Sequence, residues 1–280
     1  MKVIKNPLQM QKIALLTAKK GKSIGFVPTM GALHEGHISL IKKSVKSNDI
    51  TVVSIFVNPI QFGPKEDFSK YPRPILNDKN ICKKNKVDFL FLPDADNLYD
   101  KNYSTYVEVN KYSQFMCAVS RPGHFKGVTT VVSKLLNIVM PDNAYFGLKD
   151  YQQYVIIKKM SADLNFKTKI TGCPIVREKN GLAMSSRNKY LTPEYKEKAG
   201  NIFKSLLKAK QDFKSNKNIK SIAADIKKSL NKIETAIIDY VEIRDWQTLE
   251  AAKQSTKTVV IAVAVKIQNV RLIDNIVCSK

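Results

Sequence analysis

"VPTMGALHEGHISL", residues 27–40, places two of the chain's three histidines, His34 and His37, three residues apart, behind an apolar run and beside Gly31 and Gly36. The run before it, "SIGFV" at 23–27, suits a buried strand, and residues 36–47 carry a helical pattern. A strand, a glycine-bearing loop and a helix in that order aim unpaired backbone N–H groups and the positive end of a helix dipole at whatever lies beyond the loop. Such an arrangement binds anions. Two imidazoles at i and i+3 beside it can donate to phosphate oxygens and stabilise charge that builds up in a transition state. A structural role for either ring is the alternative.

The alternation of strand and helix continues through the first half of the chain. Residues 49–57, 87–92 and 144–146 are dense in β-branched and aromatic side chains, as buried parallel strands are. Helical patterns occupy 7–20, closed by Gly21, then 75–86, and 127–139, stopped by Pro141. The expected fold class is α/β, a Rossmann-like doubly wound parallel sheet whose ligands sit beyond the C-terminal ends of the strands. After Val176 the texture changes. Ile202, Phe203, Leu206 and Leu207, then Ile219, Ile222, Ala223, Ile226 and Leu230, recur at helical spacing, and three strand-like runs follow at 237–243, 258–265 and 270–278. We expect residues 1–175 to form the Rossmann-like domain and 176–280 a smaller α+β domain acting as a lid.

Composition narrows the functional classes. The net charge of +23 would attract a polyanion, yet only six of the 47 basic residues are Arg, the side chain suited to bidentate phosphate or base recognition. Eleven Lys between Lys196 and Lys232 alternate with the apolar stripe, the pattern of a solvated helical face. No nucleic-acid partner is therefore expected, although an RNA-binding module using that segment is the rival of a different class. Cys82, Cys117, Cys173 and Cys278 lie far apart with no metal-ligand spacing, and read as buried thiols. No run resembles a signal peptide, and the longest apolar run, 259–265, is far short of the roughly 20 residues that span a bilayer. We expect a soluble cytoplasmic protein without a membrane partner.

Three further clusters could carry chemistry. In "AYFGLKDYQQ" at 144–153, Lys149 follows a strand end and Gly147, where an ammonium can neutralise a phosphate; an exposed loop lysine is the competing reading. In "GLAMSSRN" at 181–188, two hydroxyls and a guanidinium could grip a polyphosphate, and Arg177 lies just upstream. Asn58 and Gln61 follow another strand and offer neutral amides for a small polar substrate. Val128, Val131 and Val132 share a helical face that could wall an apolar pocket or pack a core, and Arg121 and His124 flank a Pro-Gly turn.

Together "PTMGALHEGH", "FVNPIQF", "YPR", "RPGHFKGVTTVV", "FGLKDYQQ" and "GLAMSSRN", in order across residues 28–188, resemble the pantoate-beta-alanine ligase family of the HxGH nucleotidylyltransferase superfamily. The resemblance implies a ligase of pantothenate and coenzyme A biosynthesis. In it, the carboxylate of pantoate attacks the α-phosphate of ATP, and the amine of beta-alanine then displaces AMP from the pantoyl adenylate. It implies that Met30, Gly31, Ala32, Leu33, His34, Glu35, Gly36 and His37 contact ATP, with His34, His37 and Lys149 catalytic and His37 the proton donor. Gly147, Leu148, Lys149 and Asp150 would hold the nucleotide, Val176 the adenine, and Met184, Ser185, Ser186 and Arg187 the phosphates. Gln61 and Gln153 would grip pantoate, helped by Asn58 and Arg121, while Val128, Val131 and Val132 receive its dimethyl carbon. Mg2+ is expected with ATP, with Asp78 the candidate ligand, although Pro74 and Asn77 depart from the family's usual residues after "YPR". A homodimer is expected. An enzyme of this fold that stops at nucleotidyl transfer is the nearer rival.

Overall fold

Short runs rich in Ile, Val and Phe pair as one six-stranded sheet in the computed structural model, which describes residues 1–64 and 66–280. The elements, in chain order, begin with β1 (Lys2–Ile4), α1 (Pro7–Lys19), β2 (Ile24–Thr29), α2 (Glu35–Ser47), β3 (Ile50–Ile55), a 3₁₀ turn at Pro59–Gln61 and α3 (Ile75–Lys84). They continue with β4 (Phe89–Phe91), α4 (Ala95–Leu98), α5 (Cys117–Ser120), α6 (His124–Val139), β5 (Asn143–Gly147), α7 (Tyr151–Asp163) and β6 (Lys169–Cys173). Every pairing is parallel, in the order β1-β4-β3-β2-β5-β6. The chain winds outward to one side from β2 to β4 and to the other from β5 to β6, so the order reverses between β2 and β5. That reversal is where a doubly wound sheet leaves a crevice beyond its carboxyl ends. The 30–34 loop leaves β2 there, and Gly147 ends β5.

Local signals set most helix ends. Asn6 caps α1 by accepting from the Gln9 N–H at 3.0 Å, with Pro7 in the first turn. Helix α3 stops at Lys84, two residues before the expected end, because Lys86 turns left-handed at φ +60. Helix α6 starts at His124, three residues before the expected start, launched from left-handed Gly123. Strands β1 and β6 lacked the dense apolar run that marks the others, since both lie at the edges of the sheet. The core beneath it gathers Phe26, Val52, Phe91, Leu136, Val139 and Ile157, all 2% exposed or less.

The C-terminal region continues with α8 (Pro193–Ala199), α9 (Asn201–Lys214), α10 (Ile219–Leu230), β7 (Ile237–Asp245), β8 (Thr258–Ile267) and β9 (Val270–Ser279). The three strands form an antiparallel sheet in the order β7-β8-β9. Ile202, Leu206, Ala209 and Phe213 of α9 and Ile222, Ile226 and Leu230 of α10 pack with Val259, Ile261, Val263 and Val265 of β8. Leu207, which the periodicity put in this stripe, instead faces solvent. Lys204, Lys208, Lys227 and Lys228 are exposed on the outer helical faces.

Two compact units emerge, one of Met1–Gln114, Arg121–Leu148 and Gln153–Pro174, the other of Phe115–Ser120, Lys149–Gln152 and Ile175–Lys280. The principal break lies close to the boundary expected after residue 175, but two short segments from the first half join the second unit. Gln152 ties them together, its Oε1 accepting from Cys117 N–H at 3.0 Å and its Nε2 donating to the Phe115 carbonyl at 2.8 Å. All four cysteines are free and buried; burial pushes the Cys82 thiol up to about 12 and that of Cys278 up to about 11. Among the described residues, no helix is long and apolar enough to cross a membrane.

Leu206 is fully buried between the α9 and β8 layers. Leu206→Ala should cost about 2–5 kcal/mol in chemical denaturation; a loss below about 1 kcal/mol would mean that the site collapses around the missing atoms.

Candidate active site

The loop that follows β2 is tightly specified. Thr29 Oγ1 donates to the Ser54 carbonyl at 2.8 Å and accepts from Gly31 N–H at 3.1 Å. Gly31 and Ala32 then turn left-handed, at φ +83 and +49. A Cβ on Gly31 would stand 2.9 Å from Ile55 Cγ2 and 3.0 Å from Asp78 Oδ2, so this position requires glycine on grounds of both space and conformation. The costlier left-handed Ala32 is held by Asp78, whose Oδ2 accepts from Ala32 N–H at 2.9 Å and Oδ1 from Leu33 N–H at 2.8 Å. Burial pushes the Asp78 carboxyl above its ordinary value, although both N–H bonds oppose that shift.

With the loop fixed, α2 starts at a histidine pair. His34 is the N-cap, in extended backbone, and its Nδ1 accepts from Gly36 N–H at 3.1 Å. The Nδ1 of His37 accepts in turn from His34 N–H at 3.3 Å. A ring nitrogen that accepts carries no proton, so this pattern assigns the proton of each neutral imidazole to Nε2. The rings lie 4.1 Å apart, centroid to centroid. The two histidines thus use their Nδ1 atoms to cap the helix, which places both imidazoles at its positive end.

Asp78, expected as the magnesium ligand, has a different task in this structure. It is fully buried with both oxygens bound to loop N–H groups. Among the described residues, no group of three or more His, Cys, Asp or Glu is placed to hold a metal. These residues do not fit a protein-held magnesium.

The 3₁₀ turn after β3 carries Gln61, and its amide is oriented by neighbours. Asn58 Nδ2 donates to Gln61 Oε1 at 3.1 Å and to the Gly127 carbonyl at 3.1 Å, and Asn58 Oδ1 accepts from Tyr99 Oη at 2.9 Å. Gln61 Nε2 donates to Met30 Sδ at 3.0 Å. Asn58, expected as a substrate contact, therefore spends its amide orienting Gln61. Helix α6 backs this turn closely: a Cβ on Gly127 would fall 2.4 Å from the Ile60 carbonyl oxygen and 2.6 Å from Gln61 Cα. His124 Nδ1 lies 2.9 Å from the Gln61 carbonyl oxygen, and Arg121 Nη1 is 2.9 Å from His124 Nε2. Arg121 also forks Glu66 through Nε and Nη2, both at 2.6 Å, so the structure gives its guanidinium to protein partners. Val128, Val131 and Val132 lie in the core with Phe26 and Phe146. Gln153 sits half-buried in the first turn of α7.

In the second unit, the Lys149 carbonyl accepts from Asn275 Nδ2 at 2.8 Å, and Lys149 Nζ is 4.0 Å from Asp150 Oδ2. The segment before the serines folds back on itself, with Met184 N–H donating to the Val176 carbonyl and Glu178 N–H to the Leu182 carbonyl. Arg177 anchors it: its guanidinium binds both oxygens of buried Asp274, at 2.6 and 2.9 Å, and stacks 3.6 Å above the Phe203 ring. Burial raises the Asp274 carboxyl despite that partner. Beyond it, Ser185 Oγ caps the turn by accepting from Arg187 N–H at 3.3 Å, and Asn188 Nδ2 donates to Glu178 Oε1 at 2.8 Å. Asp274 and Asn275 were missed in the sequence, although two adjacent polar residues inside the apolar run at 270–278 were the available signal.

A family model described as Pantoate-beta-alanine ligase matches residues 2–277. Pantothenate synthetase of Endomicrobium trichonymphae is 55% identical over 280 residues, 100% of this chain and 99% of that protein. Its namesake in Sulfurihydrogenibium sp. (strain YO3AOP1) is 54% identical, covering 99% of each. Among solved structures, pantoate-beta-alanine ligase (pantothenate synthetase) from Thermus thermophilus superposes with a TM-score of 0.93 at 36% identity, over 99% of both chains. Pantoate-beta-alanine ligase from Francisella tularensis, complexed with beta-gamma ATP and beta-alanine, gives 0.81 at 38% identity, over 99% of this chain and 97% of that one.

Burial works to raise the Glu66 carboxyl, but the Arg121 hydrogen bonds and charge outweigh it and hold the group below its ordinary 4.5. A carboxylate depressed in the folded state adds stability that is complete above its unfolded value and lost as pH falls through the folded one. Urea unfolding of the protein and of Glu66→Gln should therefore differ most near neutrality, and the gap should close as pH drops below about 4.5. A gap that does not vary with pH would show that the ion pair contributes nothing.

Proposed function

Because the chain belongs to the pantoate-beta-alanine ligase family, we propose that it joins pantoate to beta-alanine through a pantoyl adenylate, releasing pyrophosphate and then AMP. The observation that carries this reading is the histidine pair, whose Nδ1 atoms both accept backbone N–H bonds at one helix N-terminus, an arrangement whose Nε2–H groups suit phosphate oxygens. The chemistry needs such a site. A carboxylate is a poor acceptor for an amine until one of its oxygens is made a leaving group, and attack on the α-phosphate of ATP does that.

In the first step the pantoate carboxylate displaces pyrophosphate. Negative charge grows on the phosphate oxygens, where His34, His37 and the ammonium of Lys149 stabilise it. His37 directs its Nε2–H at the departing pyrophosphate and stabilises the charge that grows there, as a hydrogen-bond donor that keeps its proton. The Met30–Leu33 and Gly36 backbone and Glu35 border the nucleotide, Gly147, Leu148 and Asp150 hold it, Val176 meets the adenine, and Met184–Arg187 close on the phosphates. Gln61 and Gln153 grip pantoate, and Gln61, with its Oε1 held by Asn58, meets the substrate as an N–H donor. In the second step the free beta-alanine amine adds to the acyl carbon, AMP leaves with the bonding electrons, and the proton lost from nitrogen passes to solvent. Magnesium, for which these residues offer no ligand set, would come with the nucleotide and neutralise phosphate charge. The Francisella relative's complex supports ATP and beta-alanine as ligands of this site. A homodimer in the cytoplasm is the expected setting.

ATP with pantoate alone should give one stoichiometric burst of pyrophosphate, with turnover appearing only when beta-alanine is added. Steady pyrophosphate release without an amine would instead identify a nucleotidyltransferase. His37→Ala should slow the burst by around 10²-fold while leaving the circular dichroism spectrum unchanged; an unaltered burst would remove His37 from the chemistry.

A further inference from the structure

We propose that His124 is a positioning residue for the substrate-binding turn, its ring locked as the neutral Nδ1–H tautomer by Arg121 and Glu66 so that it holds the Gln61 backbone in place. The inference rests on the reading that Gln61 binds pantoate. It assigns work to a buried histidine, an arginine and a glutamate that the two chemical steps leave unused.

The tautomer follows from what the neighbours can do. A carbonyl oxygen only accepts, so the 2.9 Å contact to the Gln61 oxygen requires a proton on Nδ1. A guanidinium only donates, so the 2.9 Å contact from Arg121 Nη1 requires a bare Nε2. Both conditions hold together only for the neutral Nδ1–H ring. Protonating Nε2 would set an N–H against the Arg121 N–H. Arg121 is itself held by the Glu66 carboxylate, whose two oxygens take its Nε and Nη2. Among the described residues, Arg121, from the turn leading into α6, and Glu66, from the loop that follows Gln61, are charged groups on this side of the ring. The ring is 8% exposed and lies against Phe125, 5.0 Å between centroids.

Geometry explains why the turn needs this hold. Pro59 supplies no N–H, so the turn has few backbone bonds of its own; Phe62 N–H to the Pro59 carbonyl, at 3.2 Å, closes it. Gly127 lets α6 approach the Gln61 backbone, His124 fixes the carbonyl, and Asn58 fixes the side chain. One Arg–His pair at the start of α6 therefore fastens the loop at two places, Gln61 and Glu66. His124 belongs to the same helix that presses Gly127 on the turn, and Arg121 to the turn leading into it, so the amide of Gln61 is aimed before any substrate arrives.

With three histidines in the chain, nitrogen-15 NMR of the imidazoles gives a direct test. At neutral pH two rings, His34 and His37, should show the Nε2–H pattern and one the Nδ1–H pattern. The Nδ1–H signal should vanish in His124→Asn, and should give way to Nε2–H or averaged signals in Arg121→Leu and Glu66→Gln. In steady state, His124→Leu should raise the pantoate KM about tenfold with a smaller change in kcat, while His124→Asn, whose amide can replace the Nδ1 donor, recovers most of the loss. Three alike rings, an Nδ1–H signal indifferent to Arg121, or a fall confined to kcat would each overturn the proposal. If His124→Leu fails to fold, the wild-type spectrum and His124→Asn still decide it. A wild type that does not turn over pantoate refutes the substrate reading instead, and leaves the NMR test standing.

Discussion

Two hydrogen bonds to one carboxylate hold the loop from which α2 and its histidine pair start. Asp78 sits on α3, outside the loop it controls, and binds the N–H groups of Ala32 and Leu33 while buried from water. Without those acceptors, left-handed Ala32 and two buried N–H groups would each disfavour the loop. The loop in turn determines where α2 begins, and that determines which nitrogen each histidine exposes. A residue on another helix thereby governs the direction in which the two imidazoles point.

The polar atoms around the first unit's site are oriented by the protein. Both Nδ1 atoms of the histidine pair accept from backbone N–H groups, and Gln61 Oε1 accepts from Asn58. These contacts fix the direction of the imidazole and amide N–H groups at the start of α2 and beside it. Such a surface suits substrates made of carboxylates, hydroxyls and phosphates. Oriented dipoles of this kind can be aimed at where charge develops in a transition state.

The sheet and the position of its crevice were legible because buried parallel strands are apolar throughout and their helices carry caps and glycine stops. The edge strands β1 and β6 were not, since an edge needs no such density. The same divide runs through the site. His34, His37, Gln61, Lys149 and the serine loop stood out by residue type and by their places after strands. Their supports did not: Asp78 and Arg121 read as ligands in the sequence, yet the fold commits Asp78 to the α2 loop and Arg121 to Glu66 and His124. Arg177 and Asp274 lie 97 residues apart, a pairing no local pattern announces. A sequence shows which groups are chemically capable; only the fold shows which are already engaged.

The buried thiols carry a practical consequence. A thiolate is the reactive form of cysteine, and burial makes it scarce at Cys82, Cys173 and Cys278, while Cys117 is enclosed with Tyr240 Oη 3.2 Å from its sulfur. The native chain is thus close to silent towards maleimides. A cysteine introduced on an exposed lysine position of α9 or α10 would be the one group that takes a dye or spin label, with no native cysteine to remove first.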